Sequence, residues 1–518
     1  MRTLHMWIVA CLLATATPVW AQTPSDANAM LDAWDIPAAT KAIDALEAAA
    51  PASPEVEYLR ARLDFFNGKY EAAVQRLDQA IAQTPRAEFV QLRDLVAATH
   101  NVTKSYKRFK SPKGYFEIAV EPGKDEVLLP FAFEALDKAY EVFAQELGFR
   151  PQTPIRIEVY PRTATLAEVS SLTDEEIRTS GTIALCKYNR LMITSPKALV
   201  RGYGWVDTVV HEYVHYVVNQ KTGGRVPIWM HEGLAKYLER RWRGPDAAML
   251  PPSSEKLLQE RVKKGEFITF DQMHPSMAKL PSQEDAAMAF AEVYTAMEYL
   301  RAQVGPTAFN DMLDLIAQGM DAQRAFAKVL GTTFPQFERE WRGSLKTRTP
   351  SSFPEDTGFE DRLVFKDTAP NTELDAIPQP KARDHMHLGE MLQARDRFAA
   401  AIVQYRKAES IAGNMNPVLQ TRLAQSLIAT DQPQAAFDAL IPTIQNFPGY
   451  VSTWIQLGKA AAALGRWEEA REYFTEAGRI NPFDPEVHSE LARVYRQLGM
   501  TKEADEFLRF EKLVKGGS

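Results

Sequence analysis

The residues of this chain best suited to chemistry lie in one short run, residues 211–215, which reads HEYVH. If the run is helical, His211 and His215 lie one turn apart on the same face and can present imidazole nitrogens to one metal ion. Glu212 then points about 100° away, where a carboxylate can reach a metal-bound water without binding the metal itself. The spacing therefore predicts half of a zinc site and its general base.

The residues around this run indicate a buried helix. Most positions between Val206 and Val218 are apolar on every side, which is typical of a helix enclosed by a core. Two imidazoles and a carboxylate in such a helix cost on the order of several kcal/mol unless they are hydrogen-bonded or bind a metal. Core histidines that hydrogen-bond to their neighbours are the alternative. Gly223 and Gly224 are expected to end the helix.

A second helix is predicted from Pro227, because proline suits the first turn of a helix. Residues 227–239 read PIWMHEGLAKYLE. A zinc site with two helical histidines needs a third protein ligand and leaves one position for water, and Glu232 is the candidate. His231 is a rival ligand, although its side chain should point about 100° away from that of Glu232.

The two segments together resemble the gluzincin zinc metallopeptidases, in particular the peptidase-MA-like family that is often found beside tetratricopeptide repeats. The resemblance is carried by HEYVH and by the pattern P-x-W-x-x-E-G-x-A-x-Y of residues 227–237. It implies that His211, His215 and Glu232 bind Zn²⁺. It also implies that Glu212 is the general base. The implied fold is α+β, with a thermolysin-like domain of a small mixed sheet and helices, flanked by all-α repeat solenoids.

Hydrolysis of a peptide bond also needs a donor that stabilises the tetrahedral oxyanion beyond the zinc. Gluzincins often use a tyrosine on a later helix, and residues 289–300 resemble the family's segment there. The resemblance therefore makes Tyr294 the expected donor. A tyrosine in the core is the alternative interpretation of Tyr294, and His274 and Tyr237 are alternative donors.

Two further parts of the site are expected. A carboxylate should orient the zinc histidines, and Asp207 and Glu239 are both possible. The resemblance also implies an edge strand along the cleft that pairs with extended substrate. Residues 179–187 are therefore candidates for substrate contact, although ordinary sheet core explains them equally well.

The segment before the zinc helix is predicted to form the sheet of this domain. Residues 155–159 alternate apolar and charged side chains, which predicts a half-buried strand. Residues 182–186 and 191–194 indicate a hairpin-like pair of strands. Residues 131–147 have the pattern of a helix that would cover the sheet.

The rest of the chain repeats itself. Residues 454–482 fit the tetratricopeptide pattern of roughly 34 residues, with copies on both sides and a further unit near residues 61–85. The repeats are expected to present a concave surface to a protein partner, and scaffolding for the catalytic domain is the alternative. The predicted organisation is a signal peptide at 1–21, tetratricopeptide-like helices at 27–102, a gluzincin peptidase-like domain at 105–345, a linker at 346–382 and tetratricopeptide repeats at 383–514.

The N-terminus and the composition predict where the protein acts and what it avoids. Arg2, an apolar stretch at 6–19 and the small residue Ala21 before Gln22 are typical of a cleaved secretory signal peptide. We therefore expect a periplasmic or secreted protein without a membrane span. Removal of the signal leaves Cys186 as the only cysteine, so no intramolecular disulfide is expected. A net charge of -7 without a basic block argues against nucleic acid as a partner.

Two functions of different classes are compatible with these features. The first is an exported zinc endopeptidase that cleaves peptide or protein substrates, with repeats that recruit substrate or protein partners. The second is a non-catalytic repeat scaffold or assembly protein of the cell envelope, with a structural or vestigial zinc domain. Glu212 favours the peptidase, because a purely structural zinc site needs ligands but no general base.

Overall fold

The computed structural model describes residues 23–348, 366 and 377–516. The predicted signal peptide and most of the predicted linker lie outside these residues. The described part is mostly helical and contains a small mixed β-sheet. Among its residues, no helix combines the length and the apolar character that a membrane crossing requires.

Five helices precede the sheet in the described chain: α1 (Pro24–Asp32), α2 (Ile36–Ala49), α3 (Pro54–Phe66), α4 (Tyr70–Gln83) and α5 (Ala87–Thr103). Local sequence explains where several of them begin. The side chains of Thr23 and Ser53 accept backbone N–H groups in the first turns of α1 and α3. Proline in the first turn is also preorganised for a helix, as in α1, α2 and α3.

The sheet has five strands: β1 (Lys107–Lys110), β2 (Phe116–Val120), β3 (Ile155–Tyr160), β4 (Ala184–Lys187) and β5 (Arg190–Thr194). Their order is β1-β2-β3-β5-β4, so β4 is an edge strand. The central pairs β2–β3 and β3–β5 are parallel, and the outer pairs are antiparallel. Tyr188 and Asn189 connect β4 to β5 with φ values of 57° and 55°, the left-handed conformation that two-residue hairpin turns require.

Strand β3 is buried on both faces, not half-buried as its alternating pattern predicts. The charged side chain of Glu158 is only 1% exposed. It accepts hydrogen bonds from the hydroxyls of Tyr160 and of Tyr70, which belongs to α4, and it forms an ion pair with Arg190. A buried charge is tolerated when it is paired in this way. The alternation therefore marked a polar contact between elements instead of a solvent-facing side.

Ten α-helices complete the central region: α6 (Leu129–Glu146), α7 (Thr163–Glu168), α8 (Asp174–Ser180), α9 (Trp205–Thr222), α10 (Ile228–Leu238), α11 (Pro252–Lys264), α12 (Gln283–Val304), α13 (Ala308–Ala317), α14 (Ala322–Leu330) and α15 (Phe334–Leu345). Helices α6 and α9 cover one face of the sheet. There the ring of Tyr213 lies 5.0 Å from that of Phe116 and 5.5 Å from that of Phe143. The predicted covering helix is thus present as α6, and it packs against α9 and strand β2.

The C-terminal region consists of eight helices: α16 (Pro380–Gln393), α17 (Phe398–Ala412), α18 (Pro417–Ala429), α19 (Pro433–Asn446), α20 (Val451–Ala463), α21 (Trp467–Ile480), α22 (Pro485–Gln497) and α23 (Thr501–Lys515). Successive helices pack as pairs, and glycine permits their close approach. A Cβ atom on Gly458 of α20 would lie 2.7 Å from the ring of Phe474 of α21. Gly389 of α16 meets Tyr405 of α17 in the same way.

Two separate cores divide this C-terminal region. The main core extends from the N-terminal helices through the sheet and α9 into α20–α23. A second core is built within residues 377–460. Helices α20–α23 are therefore packed into the central region, whereas α16–α19 are stabilised chiefly among themselves.

Candidate metal centre

Helix α9 carries the first two candidate ligands through the interior of the protein. Apolar side chains enclose it on most sides, including Val210, Val214 and Val217, which are fully buried. It ends at Gly223, whose φ of 62° is the left-handed conformation expected of a C-terminal glycine. The rings of His211 and His215 lie 4.7 Å apart on this helix. They therefore share one face, as the spacing predicts.

Helix α10 brings the third candidate ligand to the same place. It begins at Ile228, directly after Pro227. Gly233 allows α10 to approach α12 closely, because a Cβ atom there would lie 2.9 Å from the backbone oxygen of Val293. This approach helps to set the position of α10, the helix that carries the neighbouring Glu232.

The three candidate ligands converge on one point. A single Glu232 oxygen, Oε2, lies 3.3 Å from His211 Nε2 and 3.5 Å from His215 Nε2. One ligand atom of each residue lies within 4.8 Å of the other two. The side chains are 14–17% exposed, so the cluster is mostly buried but can still be reached by solvent. Two imidazoles and one carboxylate are the protein donors of several catalytic zinc sites, so this donor set fits Zn²⁺ with a free position.

Different groups hold the outer nitrogens of the two histidines. His211 Nδ1 lies 3.0 Å from Glu239 Oε2, and the other oxygen of Glu239 lies 2.7 Å from the ammonium of Lys236. His215 Nδ1 lies 2.8 Å from His231 Nδ1. Of the two carboxylates that the sequence left open, Glu239 is therefore the one that contacts a histidine.

Asp207, the other carboxylate, lies in the first turn of α9 and has different partners. It accepts hydrogen bonds from Trp242 Nε1 and Arg243 Nε, both at 3.1 Å. Arg243 also bonds to Glu476 of the repeat helix α21 at 2.5 Å. Asp207 therefore belongs to the junction between the central region and the C-terminal repeats.

The electrostatics of the cluster favour a bound cation. Burial opposes the ionisation of Glu232, but the charge on His215 and hydrogen bonds from both histidines outweigh it and lower the pKa of Glu232. Burial likewise opposes charge on His211, but hydrogen bonds to Glu232 and Glu239 raise its pKa to about 10. The carboxylates thus stabilise positive charge at this point, and a metal ion would displace protons from the imidazoles.

Glu212 lies on another side of α9, between the helix and the edge strand β4. Its side chain is 8% exposed. Burial raises the pKa of Glu212, while charges on His215 and His211 and the backbone N–H of Cys186 in β4 lower it in part. A buried carboxylate whose pKa is raised holds a proton more readily than an exposed one, which is the property expected of a group that takes up protons.

The expected oxyanion donors differ in how deeply they are buried. Tyr294 is 1% exposed, and its ring lies 5.6 Å from that of Tyr237. Burial raises the pKa of Tyr294, so its hydroxyl keeps its proton. No hydrogen bond or ring contact joins Tyr294 to the three ligands in the part of the chain that is described. His274 is exposed. The oxyanion donor stays a prediction.

Sequence reasoning missed two neighbours of the cluster. His231 was considered only as a rival ligand, whereas it contacts the outer nitrogen of His215. Cys186 is expected as the only cysteine and as one of the candidate substrate contacts at 179–187, but its backbone contact with Glu212 is not anticipated from the sequence. The position of His231 next to Glu232 was a usable signal. The position of Cys186 depends on how β4 packs against α9, which has no local signature.

Comparisons with known proteins agree with this division of the chain. The model of the Peptidase MA superfamily matches residues 135–347, and a tetratricopeptide repeat model matches residues 451–494. The uncharacterized protein YhcO of Bacillus subtilis is 24% identical over 258 residues, which are 46% of this chain and 72% of that protein.

Two tetratricopeptide proteins are among the solved structures with some likeness to this chain. A thermophilic example from Thermus thermophilus is 22% identical, with 26% of this chain and 74% of that chain covered and a TM-score of 0.25. The Sgt2 tetratricopeptide domain from Aspergillus fumigatus is also 22% identical, with 26% and 88% covered and a TM-score of 0.23. A Peptidase MA superfamily domain and a tetratricopeptide repeat are therefore both found in this chain.

Proposed function

We propose that this protein is a gluzincin-type zinc endopeptidase. The observation that carries the proposal is the convergence of His211, His215 and Glu232 on one point, with the buried carboxylate of Glu212 on the same helix. When bound there, Zn²⁺ would polarise the scissile carbonyl and make water a stronger nucleophile at neutral pH. The proposed domain has a thermolysin-like fold over residues 105–345.

Glu212 is the general base of the proposed reaction. It takes a proton from the attacking water and delivers it to the leaving amine, so it must both accept and release a proton near neutral pH. Burial, which raises its pKa, supports this double role. Tyr294 is the proposed oxyanion donor, with Tyr237 and His274 as alternatives.

The edge strand β4 is the proposed place where substrate lies. Within the described residues β4 pairs only with β5, and its residue Cys186 is next to Glu212. An extended peptide can add to a free strand edge through backbone hydrogen bonds, which read main chain more than side chains. The scissile bond of such a peptide would pass over α9. We therefore propose residues 179–187 as substrate contacts.

The repeats support a role in binding proteins, and export is part of the same proposal. Tetratricopeptide repeats are protein-interaction modules. Residues 377–460 have a hydrophobic core separate from the main one, so their surface can bind a partner without disturbing the central region. We propose repeat regions at 27–102 and 383–514, a linker at 346–382, and a signal peptide at 1–21 that directs the protein to the periplasm or the exterior.

A second candidate is a non-catalytic scaffold protein of the cell envelope. It is favoured by the packing of α20–α23 into the same core as α9, since this gives part of the repeats a structural task. Such a protein would bind a metal ion at these three residues without hydrolysing peptides. The two candidates differ in what they require of Glu212.

The test is a comparison of the full-length wild type, reconstituted with Zn²⁺, with the Glu212→Gln variant. A peptide library analysed by mass spectrometry reports cleavage even when the substrate is unidentified. The peptidase proposal predicts that Glu212→Gln retains zinc and loses about 10²–10⁴-fold of the hydrolysis rate. Glu292→Gln is the matched control, because Glu292 is also a buried glutamate but lies on α12 and accepts from the backbone of Ile268. Equal, measurable hydrolysis by wild type and Glu212→Gln would refute the role of Glu212 as general base, whereas a zinc-loaded wild type that cleaves no peptide would favour the scaffold.

A further inference from the structure

The two histidines of the metal cluster are held by chemically different partners. The outer nitrogen of His211 faces a carboxylate, Glu239, at 3.0 Å. The outer nitrogen of His215 faces another imidazole, that of His231, at 2.8 Å. Histidines that bind metals usually donate this second ring nitrogen to a carboxylate, a backbone carbonyl or water. The imidazole partner of His215 is therefore an unusual feature that the proposed reaction does not explain.

The position of His231 agrees with an outer partner and not with a ligand. The ligand atoms that lie close together come from His211, His215 and Glu232. His231 Nδ1 instead contacts the side of His215 that faces away from Glu232, because Nε2 of His215 is the atom nearest to the carboxylate. His231 directly precedes Glu232 in α10, so the same turn of helix supplies a ligand and a contact to another ligand.

The hydrogen bond between the two imidazoles restricts their tautomers. If His215 binds a metal through Nε2, its Nδ1 carries a proton and donates it. The Nδ1 of His231 must then accept, so His231 is neutral and carries its own proton on Nε2. This arrangement fixes both the tautomer of His215 and the plane of its ring. A neutral partner does so without adding a second outer carboxylate to a cluster that already contains Glu232 and Glu239.

We propose that His231 is a positioning residue that orients His215 for metal binding. This role of His231 rests on the proposed metal site. His231 acts through His215 and does not touch the metal. The sequence placed His231 beside Glu232 as a competitor for the metal. The geometry instead makes it a hydrogen-bond partner of His215, the candidate ligand on the neighbouring helix α9.

The experiment measures the affinity of the metal-free full chain for Co²⁺, by competition with a coloured chelator, and records the visible spectrum of the bound ion. His231→Leu should weaken binding by about 10–100-fold, which is the usual effect of losing an outer partner. His231→Asn should recover most of the affinity, because its side-chain oxygen can accept a hydrogen bond from the Nδ1–H of His215. The absorption bands should keep their positions in both variants, since the set of ligands is unchanged.

A double-mutant cycle with His215→Asp, a substitution that keeps a ligand oxygen but removes the imidazole donor, tests whether the effect passes through His215. Adding His231→Leu to His215→Asp should cause no further loss of Co²⁺ affinity. Additive losses, or altered Co²⁺ bands in His231→Asn, would show that His231 acts independently or is a ligand itself and would overturn the proposal. Equal affinity of wild type and both His231 variants would also overturn it. Failure of the wild type to bind Co²⁺ or Zn²⁺ would instead refute the metal site, so the two failures are distinguishable.

Discussion

Two clusters of buried charge in this protein differ in the partners that surround their carboxylates. Around Glu158, the fully buried Arg190 and two tyrosine hydroxyls surround one carboxylate. Around Glu232, two imidazoles meet one carboxylate, and a second carboxylate lies behind one of the imidazoles. In the first cluster, the carboxylate is paired with a cation and two hydroxyls that the protein itself supplies. The second cluster directs several electron-pair donors at one point, an arrangement that could hold a metal ion.

The locations of the clusters agree with this difference. Tyr70 belongs to α4, so the Glu158 cluster joins the N-terminal helices to the sheet and is closed to solvent. The Glu232 cluster lies where α9 and α10 meet and is partly open. Burial of charge alone therefore does not identify a functional site. The distinction is whether the charges satisfy one another.

The largest effect on stability is expected at the closed cluster. Arg190→Met leaves Glu158 buried without its ion-pair partner, which should lower the free energy of unfolding by about 3–5 kcal/mol. Urea unfolding measures the loss. Arg93→Met is the matched control, since its ion pair with Asp78 is exposed and should contribute about 0–1 kcal/mol. Equal losses in the two variants would contradict the structural role of the closed cluster.

At the open cluster, the metal should stabilise the fold. Zn²⁺ at about 100 times its dissociation constant should raise the free energy of unfolding by about 2.7 kcal/mol, because only the folded chain assembles the three ligands. Thermal unfolding with and without the ion measures the gain. His215→Ala should abolish it, while the exposed-pair variant Arg93→Met should retain it. A gain that persists in His215→Ala would place the metal elsewhere.

A third buried carboxyl, Glu292, sharpens the comparison through pH. Its oxygens accept from the backbone N–H of Ile268, and burial raises its pKa to about 8. Between about pH 4.5 and pH 8 the folded state therefore holds a proton that the unfolded chain has released. Stability should fall as pH rises through this window, by at most about 1.4 kcal/mol per pH unit.

The check is the pH dependence of urea unfolding in metal-free protein. Glu292→Gln should flatten the decline, because the amide does not titrate. The pKa of Glu158, in contrast, is lowered: burial opposes its ionisation, but the charges of Arg190 and Arg156 outweigh this. The Glu158 contribution should therefore be constant over the same window. An unchanged slope in Glu292→Gln would assign the decline to other groups.

The smallest effect is expected at the rim of the open cluster. Lys236 forms an ion pair with Glu239 at 2.7 Å and is 25% exposed. Lys236→Met should lower the free energy of unfolding by about 0–1 kcal/mol, because solvent screens the pair. Urea unfolding of Lys236→Met and Arg190→Met under the same conditions compares the two losses of unfolding free energy directly. A loss as large as that of Arg190→Met would mean that the rim is as closed as the Glu158 cluster.

Local sequence patterns predicted the parts of the site that one helix or one turn determines. The spacing of His211 and His215 and the glycine end of α9 appear as expected. The hairpin turn at Tyr188 and Asn189 and the close helix pair at Gly458 follow from equally local rules. A Peptidase MA superfamily domain and a tetratricopeptide repeat, which the resemblance implied, are confirmed.

Contacts between distant elements could not be predicted in this way. Glu158 seemed to face solvent because its partner Tyr70 is supplied by another region of the chain. Asp207 and Glu239 were equivalent in sequence, and the packing of α10 against α9 and of α21 against the start of α9 separates them. The same dependence on packing leaves Tyr294 a prediction, because its distance from the reacting bond depends on a bound substrate.

The zinc content of the reconstituted full chain tests the central claim most directly. After dialysis against buffered Zn²⁺, the wild type should contain about one zinc ion per chain, and His211→Ala and His215→Ala should contain almost none. His100→Ala, which changes a histidine on α5, is the control and should bind as the wild type does. A wild type without zinc, or equal zinc in His215→Ala and His100→Ala, would contradict the metal centre.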